Sequence, residues 1–135
     1  MTLLVDTSVW SLALRRDRQE ETPEVRKLRT ALTQGDLVAS PGVVLQELLQ
    51  GFVPARVRAT ILDHFAYIPL LLADRDDHVT AAQMSNTCRS VGIQLPTVDA
   101  LIATLAVRHG MTLLTTDRDF HHAAPHIGLD VWTQA

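Results

Sequence analysis

Thr2-Leu3-Leu4-Val5-Asp6-Thr7-Ser8-Val9-Trp10 decides the fold. Residues 2–5 form a short apolar run of the kind that makes a buried strand. The run stops at a carboxylate, and the spacing then turns helical from Thr7 to Leu14, with Val9, Trp10, Leu12 and Ala13 on the apolar side. The same design returns near the other end of the chain. There Thr112–Thr115 reads as a strand, and Thr116 and Asp117 follow it. Two strands that each end in an aspartate set up the rest of the reading.

Working outward, residues 15–21 (Arg-Arg-Asp-Arg-Gln-Glu-Glu) are a charged connection. Thr22 and Pro23 have the cap-plus-proline form of a helix start, and Gly35 closes that helix. Leu37–Ala39 reads as a second strand. Ser40-Pro41 repeats the helix start, and Gly51 ends the element. Pro54 opens a helix to about Phe65. Tyr67–Leu72 reads as a strand interrupted by Pro69, and Asp76–Val91 as a long helix stopped by Gly92. Thr97 is the expected cap of a helix ending at Gly110. Asp119–Ala123 is a helical turn and Asp130–Trp132 a last short strand. Short apolar strands alternating with helices predict a mainly parallel sheet covered on both faces, an α/β/α arrangement. Ligands of such sheets bind beyond the carboxyl ends of the strands, where strand order reverses.

The 135 residues and 47% hydrophobic content suit one domain over residues 1–135. The longest apolar runs are too short for a membrane span, and the amino-terminal residues lack the features of a signal peptide. Cys88 is the only cysteine, which excludes an intrachain disulfide and a thiolate cage. A cytoplasmic protein is expected. The net charge of −3 argues against a nucleic-acid binder that works by bulk positive charge. Among the twelve basic residues Lys27 is the one lysine, so arginine, the better phosphate partner, does most of the cationic work.

Four carboxylates carry the functional reading: Asp6, Glu47, Asp99 and Asp117. Each taken singly has a structural explanation as a cap or first-turn acid. Helix geometry separates two of them from that explanation. At about 100° per residue, Glu47 falls between Val43 and Val44, away from Gln46 and Gln50. Asp99 falls between Ala103 and Ala106, with Thr104 and Arg108 on the other side. Both acids are therefore expected to point inward. Acids gathered in one pocket raise one another's pKa and call for a counter-charge. An oxygen-only donor set favours Mg²⁺ or Mn²⁺ over zinc. No histidine pair shows zinc spacing in this reading, because His121, His122 and His126 fall in a loop-like stretch and read as surface residues.

At these residues the chain resembles PIN-domain ribonucleases, in particular VapC-type toxins of bacterial toxin–antitoxin pairs. The matching segments are Leu4–Ser8, Leu45–Gly51, Val98–Ala103 and Leu114–Phe120, in order and with family-like spacing. The resemblance implies a three-layer α/β/α fold and Mg²⁺- or Mn²⁺-dependent hydrolysis of RNA. It makes Asp6, Glu47, Asp99 and Asp117 the catalytic quartet, with metal held by Asp6, Asp99, Asp117 and Asp119. It assigns supporting roles to the hydroxyls of Thr7, Ser8, Thr115 and Thr116. It also implies an RNA substrate, a cognate antitoxin and a homodimer. Arg118, beside Asp117, is the leading candidate for phosphate contact, followed by Arg15 and Arg16, with Arg18, Arg56 and Arg58 as further basic groups. An antitoxin helix is expected in a groove beside Trp10 and Leu14, with helix-packing core as the equal alternative for Trp10.

Three other readings compete. A phospho-acceptor domain also places an aspartate after a strand, but the phosphatase type needs an acid where Ser8 stands. The receiver type needs a lysine after a late strand, and Lys27 is in a helix. A non-catalytic RNA-binding or scaffold domain of the same fold would show no dependence on the acids or on metal. A structure-specific DNA nuclease of related fold usually carries insertions that this chain lacks.

Overall fold

A computed structural model describes residues 2–14, 21–51 and 53–134. Arg15, Arg16 and Arg18 lie outside the described residues. The strands are β1 (Leu3–Val5), β2 (Val38–Pro41), β3 (Leu70–Leu71) and β4 (Thr112–Leu114). The helices are α1 (Thr7–Ala13), α2 (Pro23–Gln34), α3 (Gly42–Leu49), α4 (Ala55–Phe65), α5 (Arg75–Ser90), α6 (Thr97–Arg108) and α7 (Arg118–Ile127).

All four strands are parallel, in the order β3-β2-β1-β4. Leu3, Leu4 and Val5 have no exposed surface, as expected of a strand with neighbours on both edges and helices on both faces. From β1 to β3 the chain steps across the sheet one way. It then crosses back over β2 and β1 to reach β4. Parallel crossovers are right-handed, so this reversal sends α5 and α6 to the opposite face. The packing agrees: α1 contacts α2 and α3, and α3 contacts α4, whereas α5 contacts α6 and α7. The reversal leaves a crevice between the ends of β1 and β4, the place where α/β sheets bind ligands.

Several local expectations change. Ser40 does not cap α3. It belongs to β2, is fully buried, and its hydroxyl donates to the Val5 carbonyl at 3.2 Å. Pro41 takes the N-cap position without a side-chain bond, and Pro96 rather than Thr97 does so at α6. The third strand shrinks to two residues beyond Pro69. The last strand is a single bridge between Leu113 and Val131. The expected helical turn after Asp117 is a ten-residue helix that contains Pro125 and ends at Gly128, whose φ of 67° needs glycine's freedom. Trp10 is 2% exposed and its ring lies 4.8 Å from that of Phe65, so it fills the core and does not line an open groove. Among the described residues no helix is long and apolar enough to cross a membrane.

Candidate functional site

Asp6 follows β1 and caps α1. Its Oδ1 accepts the Ser8 backbone N–H at 3.1 Å and the Ser8 hydroxyl at 2.6 Å. Its Oδ2 accepts the Thr115 hydroxyl at 2.7 Å. The carboxylate is thus held from both sides of the crevice. Burial pushes its pKa above the ordinary value. The Ser8 and Thr115 hydroxyls and the Val9 and Ser8 backbone N–H groups pull the other way without cancelling that effect.

The two hydroxyls also bind the crevice together. Thr115 Oγ1 accepts the Asp117 backbone N–H at 3.0 Å, and Ser8 Oγ accepts that of Thr116 at 3.0 Å. Each hydroxyl therefore donates to Asp6 and accepts from the loop after β4. Asp117, the N-cap of α7, accepts the Asp119 N–H at 2.9 Å through Oδ1. Thr7 donates to Glu47 Oε1 at 2.7 Å and so ties α1 to α3. The contacts assign different work to the hydroxyls. Ser8 and Thr115 position carboxylate and backbone, Thr7 positions Glu47, and Thr116 contributes its N–H.

Asp99, in the first turn of α6, feels all of this charge. Its carboxyl is pushed from 3.8 up to about 6, first by burial and then by Asp117, Asp6, Glu47 and Asp119 in decreasing order. Five acids from four parts of the chain thus come within electrostatic reach at one crevice. Their burial is uneven, where helix geometry alone predicts that both helical acids point inward. Asp6 is buried, Asp99 and Asp117 are half-buried, and Glu47, Asp119 and Arg118 are exposed. The reason is their place at the open ends of the strands, where the core meets solvent. Among the described residues no three of these side chains form a ready-made cage, and the ion pairs, Arg29–Glu21 and Arg108–Asp77, involve none of them. The donors are all oxygens, and among the described residues no ion pair neutralises their charge, which fits a hard divalent ion.

On α6 the side expected to face outward divides: Thr104 is buried against Met84 of α5, whereas Arg108 stays exposed as expected and reaches α5 only with its guanidinium. Thr104 is 2% exposed and bonds back to the Ala100 carbonyl. Arg108 forks onto buried Asp77, with Nε to Oδ1 at 2.7 Å and Nη2 to Oδ2 at 2.9 Å. Asp77 also completes a capping box with Asp74.

Two stability results are expected here. Thr115→Val should cost about 2 kcal/mol, because it removes a bond to a carboxylate and strands the Asp117 N–H. Thr115→Ser should recover most of it, with denaturant melts as the check. Asp99→Asn should stabilise the protein in EDTA at pH 8. A raised carboxyl holds its proton in the folded state between 3.8 and about 6, so stability falls as pH rises through that window. A tenfold change in proton affinity is worth about 1.4 kcal/mol, and water at the half-open crevice reduces the total gain to about 1 kcal/mol. The gain should vanish below pH 4.

A family model described as the PIN domain matches residues 3–125. Solved structures share the fold. The VapBC complex of Salmonella typhimurium bound to DNA aligns with TM-score 0.77 and 18% identity, covering 98% of this chain and 97% of that one. FitAcB of Neisseria gonorrhoeae aligns with TM-score 0.74 and 20% identity over 98% and 97%. VapBC-5 of Mycobacterium tuberculosis, a member of the VapBC family of toxin–antitoxin systems, aligns with TM-score 0.68 and 21% identity over 99% and 100%. The family match spans the β1–β4 crevice and every acid around it, and this chain belongs to the PIN-domain family.

Proposed function

We propose that this chain is a single nuclease domain over residues 1–135, a Mg²⁺- or Mn²⁺-dependent endoribonuclease acting as the toxin of a toxin–antitoxin pair in the cytoplasm. The observation that carries the reading is the hydrogen-bonded convergence at the switch-point crevice, where Ser8 and Thr115 join Asp6 to the Asp117 loop and Thr7 ties in Glu47, with Asp99 close enough to feel their charge. Asp6, Asp99 and Asp117 would hold the cation, with Asp119 at the rim. When bound, Mg²⁺ or Mn²⁺ supplies charge that draws the phosphate and makes a nearby water more acidic.

The chain's own residues do the rest. Ser8 and Thr115 fix the direction of Asp6, so little reorganisation is needed when charge develops. Thr7 holds Glu47 through Oε1. That leaves Oε2 to orient a water and take its proton from the solvent side. The water oxygen attacks phosphorus in line, the bond to O3′ breaks, and O3′ takes a proton from solvent. The products are a 5′-phosphate and a 3′-hydroxyl. Arg118, exposed beside Asp117, would hold a flanking phosphate, and Arg15 and Arg16 are proposed for the same role. The antitoxin partner draws support from the toxin–antitoxin complexes that share the fold. The homodimer is part of the same proposal.

End mapping of cellular RNA tests the reading. Cleavage should need Mg²⁺ or Mn²⁺, stop in EDTA, and leave 5′-phosphate ends. A 2′,3′-cyclic phosphate, or cleavage undiminished by EDTA, would reject it.

A further inference from the structure

The carboxyl-terminal histidines, expected in a loop, are on a helix. α7 runs from Arg118 through Ile127, which puts His122 and His126 four residues apart on it, and both are exposed. Side chains at that spacing share a face, with Cβ atoms about 6 Å apart. This spacing lets two imidazoles close on one ion. Pro125 lies between them in sequence and has no N–H to offer the His121 carbonyl, so the turn they span lacks one helical hydrogen bond.

We propose that His122 and His126 form a two-imidazole site for a borderline-soft divalent ion such as Zn²⁺ or Ni²⁺, clamping the turn that Pro125 weakens. Water completes the coordination shell. The site is chemically separate from the acids at the crevice. Imidazole nitrogen suits zinc, nickel and copper, whereas carboxylate oxygen suits magnesium and manganese. Both sites nonetheless bear on one helix. Asp117 caps its start and Asp119 lies in its first turn, so a clamp at its far end steadies the element that carries them.

The test is calorimetric titration of ZnCl₂ into the full untagged chain in excess MgCl₂, for the wild type, His122→Ala, His126→Ala and Asp99→Asn. Both histidines are exposed, so their removal leaves the core intact, with circular dichroism as the check. Zinc affinity should fall at least about tenfold in each histidine variant and stay within about twofold of wild type in Asp99→Asn. The wild-type melting temperature should rise with zinc, and that rise should disappear in both histidine variants. The proposal is overturned if the wild type takes up no zinc. It is equally overturned if only one histidine matters, or if Asp99→Asn abolishes the binding. The readouts are heat and melting temperature, so the result is independent of whether the protein cuts RNA.

Discussion

Asp6→Asn is expected to lower RNA cleavage by about 10³-fold, the scale on which loss of a preorganised charged group acts in such sites. Melting should stay near the wild-type temperature. The two effects separate because Asp6 has two jobs. As the N-cap of α1 it accepts the Ser8 N–H through Oδ1, and asparagine caps a helix equally well. As a charged group it opposes its own burial. Asparagine keeps the Oδ1 acceptor and discards the charge, and the Thr115 hydroxyl that donated to Oδ2 turns to accept from the new amide N–H. Single-turnover cleavage beside a thermal melt reads both effects. Full activity in Asp6→Asn would remove the chemical role assigned to the crevice.

Arg108→Ala is expected to cost about 2 kcal/mol of stability, because it leaves the buried Asp77 charge without the half-exposed guanidinium that forks onto it. Its guanidinium is the fork on Asp77, whose side chain is 2% exposed. Burial opposes the charge on Asp77. The Asp74 backbone N–H and the Arg108 guanidinium outweigh it, so the carboxyl sits below its ordinary value of 3.8. Removing arginine leaves that charge buried without its partner. The pH dependence has a definite sign. A depressed carboxyl adds stability that is present above 3.8 and is lost as pH falls below it toward the folded value. Acid unfolding of the wild type should therefore show a component below about pH 4 that shrinks in Arg108→Ala. In a double-mutant cycle, Asp77→Ala with Arg108→Ala should be less destabilising than the two single losses added together. Simple additivity would mean that the fork carries no coupling.

The alternation of short apolar runs with helical spacing is enough to determine a parallel α/β sheet, because strand and helix periods are local properties of the chain. The acids at the ends of β1 and β4 are legible for the same reason: the chain must leave a strand where the apolar run stops. Which face of a helix meets solvent is not local. Glu47 reads as inward and is exposed, whereas Thr104 reads as outward and is buried against α5. Ser40 reads as a cap until β1 lies alongside it and the Val5 carbonyl becomes its acceptor. The helix through Pro125 is hidden in the sequence because proline normally ends one, and here Phe120 and Ala123 are buried beneath it. The residue pattern by itself determined the elements, their class and the acids worth testing. Only the tertiary structure decided which side chains share the crevice, since burial and electrostatic reach depend on neighbours distant in the chain, as Thr115 and Asp6 are.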